Sequence, residues 1–275
     1  MLILFLFPAH EMHGLPVVLR EYTIGDMLMD EQLNFIISAQ PTETTCGPAC
    51  LHSIYNYFSD DIALEQVVQE VSTLEQGGTL AVFLGCHALK RGYSATIYTY
   101  NLNVFDPTWF VDRSVEINKK LEEQMKKKNI PLLHEATKGY IEFLSLGGEL
   151  RFEDLTTALI RKHLKRSVPI LTGLSSTYLY RSSREVGYQG DWDDIRGEPA
   201  GHFVVLCGYN RDERSVMVGD PFLPNPYSDS LHYTVNIDRV VCSILLGVLT
   251  HDANLLIIKP GKIRKRGSVA DPHCR

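Results

Sequence analysis

The sequence lacks any apolar run long enough to cross a membrane. The N-terminal stretch MLILFLFP is apolar for seven residues and ends at Pro8, whereas a membrane-spanning helix needs about 20 such residues. No positive charge precedes this stretch and no small-residue cleavage site follows it, so it does not match a secretory signal. We therefore expect no integral membrane segment, and we interpret the stretch as a buried strand or as a start site placed slightly upstream.

An excess of basic residues is also missing. The chain carries 27 Lys and Arg against 33 Asp and Glu, a formal net charge of -6, whereas a phosphate-binding surface normally needs an excess of Lys and Arg. We therefore predict no nucleic-acid partner. We interpret the basic residues near the C-terminus as part of a solvated tail: Lys262, Arg264, Lys265 and Arg266.

Cysteines are few and scattered. The six in this chain lack the density and pairing of a secreted disulfide framework. This pattern favours a cytoplasmic protein, in which reducing conditions keep the thiols free. The six are Cys46, Cys50, Cys86, Cys207, Cys242 and Cys274.

No biased tract, internal repeat or linker divides the chain, which is 44% hydrophobic and 22% charged. A chain of this length buries one substantial core or two closely packed lobes. We predict a single domain over residues 1–260, followed by a basic C-terminal tail over residues 261–275. The sequence carries no signal of oligomeric state.

Hydrophobic periodicity predicts the secondary structure. Helices are expected from Cys46 onward, twice within residues 62–91, and at residues 114–128, 153–165 and 240–249. Strands are expected at residues 93–100, 168–173, 202–209, 215–220 and 254–260. Helices first and an antiparallel sheet later indicate an α+β fold rather than an alternating α/β fold.

Cys46 lies at the start of the first predicted helix. The segment QPTETTCGPACLHSIYNYF turns from polar to amphipathic at this point, with Leu51 and Ile54 on one helical stripe. A thiol is a nucleophile only as the thiolate, and a helix N-terminus stabilises that anion through its partial positive charge and unpaired amide hydrogens. Cys46 is therefore the candidate nucleophile, whereas Cys50 lies on the buried stripe.

A cysteine nucleophile needs a histidine that takes its proton, and His202 has the most favourable position among the ten histidines. It opens the segment HFVVLCGY, which is apolar on both faces and hence expected to be a central strand. His52 follows Cys46 on the same helix but lies about 240° around it at 100° per residue, so it points away. The HEMH motif at residues 10–13 is one residue short of the zinc-binding spacing.

Asp220 ends the next predicted strand, SVMVGD, where its carboxylate is suited to orient an imidazole. If the hairpin turns through three or five residues within NRDER, Asp220 lies opposite Val204. His202 and Asp220 then share a face as diagonal neighbours, whereas a four-residue turn would place them on opposite faces.

Gln40 precedes Cys46 by six residues. An acyl-transfer site needs donors aimed at the developing oxyanion, and a side-chain amide beside the backbone amide of the nucleophile provides them. We predict that Gln40 is this donor.

Two blocks of the sequence resemble cysteine peptidase family 39, the papain-like peptidases that remove double-glycine leader peptides from bacteriocin precursors. The blocks are Gln40-x5-Cys46-Gly47-x-Ala49-Cys50-Leu51, and Gly201-His202-Phe203-Val204-Val205-x-x-Gly208-Tyr209 followed by Asp220-Pro221. The resemblance implies a papain-like fold in which Cys46 is the nucleophile and His202 the base and acid. It also implies that Asp220 orients the histidine and that Gln40 is the oxyanion donor.

The sequence departs from the exporter-linked members of that family. Those members carry a membrane-spanning segment and an ATP-hydrolysing domain, and this chain has neither a long apolar span nor a GxxxxGKS or GxxxxGKT loop. Its middle region, residues 93–170, does not map onto the leader peptidases. We therefore expect a stand-alone protein similar to family 39, and we do not carry over leader-peptide specificity.

The polar segment before His202, residues 178–200, admits two interpretations. It is a solvated surface loop, or it is a rim or lid over the catalytic cleft whose arginines face a substrate carboxylate or backbone carbonyl. Under the second interpretation the candidate substrate-binding residues are Tyr180, Arg184, Trp192 and Gly201.

The favoured function is a cytoplasmic thiol hydrolase of the peptidase type that acts on a peptide or other amide and needs no metal or organic cofactor. One rival is a non-catalytic peptide-binding or regulatory module that uses the same cleft. Another is an acyl transferase that catalyses amide exchange or transpeptidation. Activation of the thiol separates the enzymes from the binding module, which has no need of a reactive thiolate.

Overall fold

A computed structural model describes residues 31–75, 77–187 and 191–261 of the chain. The predicted N-terminal strand, the HEMH motif and the basic residues from 262 onward lie outside the described residues. The prediction of a single domain over residues 1–260 stays a prediction.

The described part of the chain contains eight α-helices and ten β-strands, with two short 3-10 helices. The helices are α1 (Cys46–Tyr57), α2 (Leu64–Glu70), α3 (Ala81–Lys90), α4 (Ile117–Lys127), α5 (Pro131–Ser145), α6 (Thr157–Leu164), α7 (Ser176–Tyr180) and α8 (Ile237–Leu246). The strands are β1 (Glu31–Gln32), β2 (Ser94–Thr99), β3 (Glu149–Arg151), β4 (Ile170–Ser175), β5 (Glu185–Val186), β6 (Asp191–Trp192), β7 (Gly201–Asn210), β8 (Ser215–Gly219), β9 (His232–Asn236) and β10 (Asn254–Lys259). The 3-10 helices are Pro107–Phe110 and Gly247–Thr250.

One large sheet forms the centre of the fold. Its strands follow the order β3-β2-β10-β4-β7-β8-β9, and β1 adds to β7. Neighbouring strands run antiparallel except β2 and β3, which are parallel. Strand β7 lies inside the sheet and is buried over most of its length, as its continuous apolar run predicts. Strands β5 and β6 form a separate two-stranded ribbon.

Helix α1 packs against β7 and brings its N-terminus to the start of that strand. The predicted buried stripe is confirmed, since Cys50 and Leu51 are both 0% exposed, and a fully buried leucine stabilises the fold by about 1.5–3 kcal/mol. The Cys50 thiol donates to the carbonyl oxygen of Phe203, at 3.3 Å. Gly47 is required where α1 approaches the segment before α3, because a Cβ there would lie 2.6 Å from the Cγ2 atom of Thr79.

Helices α3 and α5 also cross closely, at two glycines. A Cβ on Gly85 would lie 2.7 Å from the ring of Phe143, and a Cβ on Gly139 would lie 2.6 Å from the ring of Phe83. Glycine inside a helix costs roughly 0.5–1 kcal/mol relative to alanine. The close crossing offsets that cost, because it leaves the Phe143 ring fully buried.

Every strand and helix that hydrophobic periodicity predicts is present, with ends that differ by a few residues. Helices α5 and α7 and strands β1, β3, β5, β6 and β9 are not among the predicted elements. The α+β class is confirmed, although β2 and β3 bring residues from the middle of the chain into the sheet. None of the helices within the described ranges has the length and apolar character of a membrane span.

Candidate active site

Cys46 is the first residue of α1 and is half-buried. The hydroxyl of the N-cap residue Thr45 does not cap the helix, since it donates to the carbonyl oxygen of Thr42 at 2.9 Å. The first turn holds no acidic side chain, and Pro48 has no amide hydrogen. The amides of Cys46 and Gly47 are therefore the ones that this helix end offers to an anion.

Main-chain hydrogen bonding joins the segment around Gln40 to the residues that follow Asp220. The backbone amide of Gln40 donates to the carbonyl oxygen of Pro221 at 2.9 Å. The side-chain Nε2 of Gln40 donates to the carbonyl oxygen of Thr42 at 3.0 Å. An amide nitrogen carries two hydrogens, so one N–H remains for the predicted contact with an oxyanion.

The hairpin of β7 and β8 turns through four residues, the length for which a regular ladder would place His202 and Asp220 on opposite faces. A β-bulge at Cys207 places one extra residue in β7 and shifts the pairing by one position, so that Val205 pairs with Gly219. His202 and Asp220 consequently lie on the same face of the sheet, as predicted. The bulge compensates for the unexpected length of the turn.

His202 lies near both Asp220 and Cys46. Its Nε2 lies 2.7 Å from Oδ1 of Asp220, and Cys46 is close enough to His202 to contribute to its pKa. Burial acts to lower the pKa of His202, but the negative charges of Asp220 and Cys46 outweigh burial and raise this pKa to about 10. A raised pKa favours the protonated imidazole, which is the state that pairs with a thiolate.

Asp220 is fully buried, and its carboxylate accepts four hydrogen bonds. Oδ1 accepts from Nε2 of His202 and, at 3.0 Å, from the backbone amide of Phe222. Oδ2 accepts from the hydroxyls of Tyr180, at 2.6 Å, and Tyr233, at 2.8 Å. Burial opposes ionisation, but the charge of His202 and these donors hold the pKa of Asp220 below its ordinary value.

Tyr180 reaches Asp220 because α7 directly follows β4, whose last residue pairs with Gly201. Sequence analysis assigns Tyr180 to substrate binding, whereas the structure places its hydroxyl on Asp220. Sequence analysis does not identify Tyr233 at all. The feature that could have indicated Tyr233 is the alternation of buried and exposed residues along β9, where Tyr233 and Val235 are buried and Thr234 is exposed.

The other three residues predicted at the rim have different surroundings. Gly201 has no room for a side chain, because a Cβ there would lie 2.8 Å from Oγ1 of Thr250. Arg184 donates to the carbonyl oxygen of Asp194 at 2.7 Å, so its guanidinium group bonds within the segment of residues 178–200. Trp192 is 63% exposed on the ribbon, and of the three it is the one whose side chain is open to a ligand.

The base of the β5–β6 ribbon lies next to the site. Glu185 and Glu198 exchange two backbone hydrogen bonds, at 3.0 and 2.8 Å. Partial burial and the nearby carboxylate of Glu43 raise the pKa of Glu185, while His202 acts to lower it. The segment of residues 178–200 thus reaches His202, which favours the rim interpretation.

Sequence comparison identifies the family to which these residues belong. The sequence model of the Peptidase_C39 like family matches residues 32–235, a range that contains Gln40, Cys46, His202 and Asp220. The chain belongs to the Peptidase_C39 like family. Its α+β fold is the papain-like fold of the C39 peptidases, and the resemblance drawn from the two sequence blocks is confirmed.

Three solved structures are similar to this chain. One is a double glycine motif protease from an AMS/PCAT transporter in complex with the leader peptide, with 14% identity, a TM-score of 0.40 and coverage of 84% of this chain and 95% of that one. The second is a C39-like peptidase from Bacillus anthracis, with 14% identity, a TM-score of 0.41 and coverage of 85% of this chain and 100% of that one. The third is the peptidase domain of Streptococcus ComA, a bi-functional ABC transporter involved in quorum sensing, with 15% identity, a TM-score of 0.38 and coverage of 82% of this chain and 98% of that one. Among curated proteins, none matches the chain at a significant level.

Proposed function

We propose that this protein is a cysteine peptidase in which Cys46 attacks the carbonyl carbon of a peptide or other amide. The observation that carries the proposal is the 2.7 Å hydrogen bond between His202 and the buried Asp220, on an imidazole whose pKa the neighbouring Cys46 also raises. Membership of the Peptidase_C39 like family supports the reaction class. The roles of the individual residues are our proposal.

The first half-reaction forms a thioester. His202 holds the proton of Cys46, and the thiolate forms a bond to the carbonyl carbon while the oxygen takes up the negative charge. The backbone amide of Cys46 and the side-chain amide of Gln40 donate to this oxyanion. The carbonyl then re-forms, the C–N bond breaks, and His202 donates its proton to the leaving amine.

The second half-reaction is hydrolysis of the thioester. His202, now neutral, takes a proton from water, and the hydroxide adds to the thioester carbon. When the second tetrahedral intermediate collapses, the C–S bond breaks and the thiolate is restored beside the protonated imidazole. Asp220 keeps the imidazole oriented in both halves.

We further propose that the protein acts in a reducing compartment such as the cytoplasm. Cys46, Cys50, Cys86, Cys207 and Cys242 all carry free thiols in the part of the chain that the structure describes. Cys46 must stay reduced to act as a nucleophile, because a disulfide sulfur cannot attack a carbonyl.

The proposal is tested by incubating the protein with a library of random-sequence peptides and identifying new termini by mass spectrometry. Wild-type protein is expected to cleave a subset of the library, whereas Cys46→Ala and His202→Ala leave it intact. Cys242→Ala is the matched control, because Cys242 is exposed on α8 and lies outside the site, and this variant should cleave like the wild type. Cleavage that persists in Cys46→Ala, or peptide binding without cleavage by the wild type, would overturn the proposal.

A further inference from the structure

The carboxylate of Asp220 receives two hydrogen bonds that the orientation of His202 does not require. Its Oδ1 atom already holds the imidazole and the amide of Phe222. Its Oδ2 atom receives two tyrosine hydroxyls, from Tyr180 at 2.6 Å and from Tyr233 at 2.8 Å. Two further donors on a group that is 0% exposed call for a physical reason.

We propose that Tyr180 and Tyr233 are positioning residues of the catalytic site, whose hydroxyls keep the Asp220 carboxylate ionised and fix its plane against His202. This inference rests on the proposed function of the site and adds two residues that act through Asp220. It also replaces the sequence-based assignment of Tyr180 to substrate binding.

The first reason is the cost of burying an ionised carboxylate. A buried anion is stable only when other groups compensate for the water it has lost, and hydrogen bonds to an anion are shorter and stronger than those between neutral groups. The Tyr180 distance of 2.6 Å falls in that short range, and the Tyr233 distance of 2.8 Å is that of an ordinary O–H···O hydrogen bond. Burial and the charge of Asp220 raise the pKa of both tyrosines well above the ordinary value, so both hydroxyls keep the hydrogen that they donate.

The second reason is orientation. An aspartate carboxylate rotates about a soft torsion when only one of its oxygens is held. Here each oxygen has two donors, so rotation would break several bonds at once. A carboxylate that cannot rotate presents Oδ1 to Nε2 of His202 in one direction, which holds the imidazole in one orientation.

The third reason is that the two hydroxyls come from separate elements, so the carboxylate of Asp220 is held from two parts of the fold. Tyr180 ends α7, which Arg239 of α8 holds through the carbonyl oxygen of Leu179 at 3.4 Å, whereas Tyr233 lies on β9. Between the two rings lies Tyr227, stacked on Tyr233 at 4.8 Å and edge-on to Tyr180 at 6.3 Å. The hydroxyl of Tyr227 donates to the carbonyl oxygen of Leu179, at 2.7 Å, and not to Asp220.

The experiment follows the titration of Asp220 by NMR of protein labelled with carbon-13 at the aspartate carboxylates, with the signal assigned from Asp220→Asn. The titratable groups that face Asp220 are His202 on β7, Tyr180 on α7, Tyr233 on β9 and Cys50 on α1. The variants are Tyr180→Phe, Tyr233→Phe and the double variant. Tyr227→Phe is the matched control, because it removes a hydroxyl from the same aromatic cluster without touching Asp220.

We expect the titration midpoint of Asp220 to move to higher pH in each single variant, further in the double variant, and not at all in Tyr227→Phe. The rate at which iodoacetamide alkylates Cys46 at pH 6 should fall about tenfold in each single variant. Loss of one hydrogen bond to a charged group changes an equilibrium constant by about this factor or more. An unmoved midpoint in the folded single variants, or an equal movement in Tyr227→Phe, would overturn the proposal.

These readouts separate the inference from the proposed function. The Asp220 midpoint needs no substrate and no turnover. If His202→Ala abolishes the reactivity of Cys46 while both tyrosine variants behave like the wild type, the positioning role fails and the proposed function stands. If the midpoint responds to the tyrosines but no peptide is cleaved, the positioning role stands and the peptidase assignment fails.

Discussion

At the scale of single residues, the site depends on opposite charges held where water screens them poorly. The side chain of Asp220 is 0% exposed and that of His202 is 9% exposed. Charges interact far more strongly in such surroundings than in water, which is why the pKa of His202 rises to about 10 in spite of its burial. Removal of one partner would leave the other charge buried and unpaired, which destabilises a protein strongly. Truncation of either residue therefore affects both the fold and the chemistry.

Gln40 allows a cleaner test at this scale, because its side chain is half-buried and makes one hydrogen bond, to Thr42. Loss of an oxyanion donor costs roughly 2.7–4 kcal/mol in the transition state, or about 10²–10³ in kcat. Gln40→Ala should therefore lower kcat by about that factor and leave the unfolding temperature nearly unchanged. The matched control is the exposed Gln32→Ala, which should retain full activity. A Gln40→Ala variant that is destabilised but fully active would show that the residue is structural.

The sequence suggests the candidate residues of the site, but it does not suggest the residues that support them. Cys46, His202 and Asp220 each stand at the end of a predicted element, and their side-chain chemistry restricts what they can do there. A tyrosine hydroxyl has no such restriction, because its partner depends on which elements meet. Tyr180 and Tyr233 meet at Asp220 only because α7 and β9 converge there, and no local pattern records that contact.

At the scale of elements, the position of Cys46 depends on how closely α1 approaches its neighbours. A Cβ on Gly47 would lie 2.6 Å from Cγ2 of Thr79 and 3.2 Å from Cδ2 of Phe203. Gly47→Ala should therefore push the N-terminus of α1 away from Thr79, which lies just before α3, and from Phe203 on β7, lowering both the unfolding temperature and the rate of Cys46 alkylation.

Thr79→Ser provides the matched rescue of Gly47→Ala. This change removes the methyl group that clashes and keeps a hydroxyl for the 2.7 Å bond to the carbonyl oxygen of Ser72. The double variant should regain most of the lost stability and reactivity. If Thr79→Ser gives no recovery, the close approach at Gly47 is not what places Cys46.

The hairpin and helix α5 show why element prediction reached its limit. The length of the β7–β8 turn and the bulge at Cys207 compensate each other, and neither has a distinct pattern within an apolar strand. In α5, Gly139 weakens the local preference for helix, yet the close crossing with Phe83 on α3 requires a glycine there. Periodicity identifies the long amphipathic elements and misses those whose composition is set by tertiary contacts.

At the scale of the whole molecule, stability should depend on pH through a buried carboxylic acid. Asp252 is 6% exposed and accepts a hydrogen bond at 3.0 Å from the amide of Ala81, at the start of α3. Burial raises the pKa of Asp252 from 3.8 to about 7. The folded state therefore holds a proton that the unfolded state releases, so the contribution of Asp252 to stability is lost as pH rises from about 4 to about 7.

Asp252→Asn keeps an oxygen acceptor for Ala81 and removes the ionisation. Between pH 5 and pH 8 the wild type should lose stability relative to this variant, as measured by urea unfolding. The comparison must be a difference between proteins, because burial lowers the pKa of His163 to about 4 and gives an opposing slope at acid pH. Asp229→Asn, at an exposed aspartate, is the control. A difference between wild type and Asp252→Asn that is constant with pH would contradict the assignment.

The central proposal is that His202 activates Cys46 as a nucleophile. Alkylation by iodoacetamide from pH 4 to pH 10, with each site quantified by mass spectrometry, tests it most directly. The exposed Cys242 in the same chain is the internal reference for a thiol outside the site. We expect Cys46 to react at least about tenfold faster than Cys242 at pH 6, and to lose this advantage in His202→Ala. If Cys46 and Cys242 show the same pH dependence in both proteins, the thiol is not activated and the peptidase mechanism is wrong.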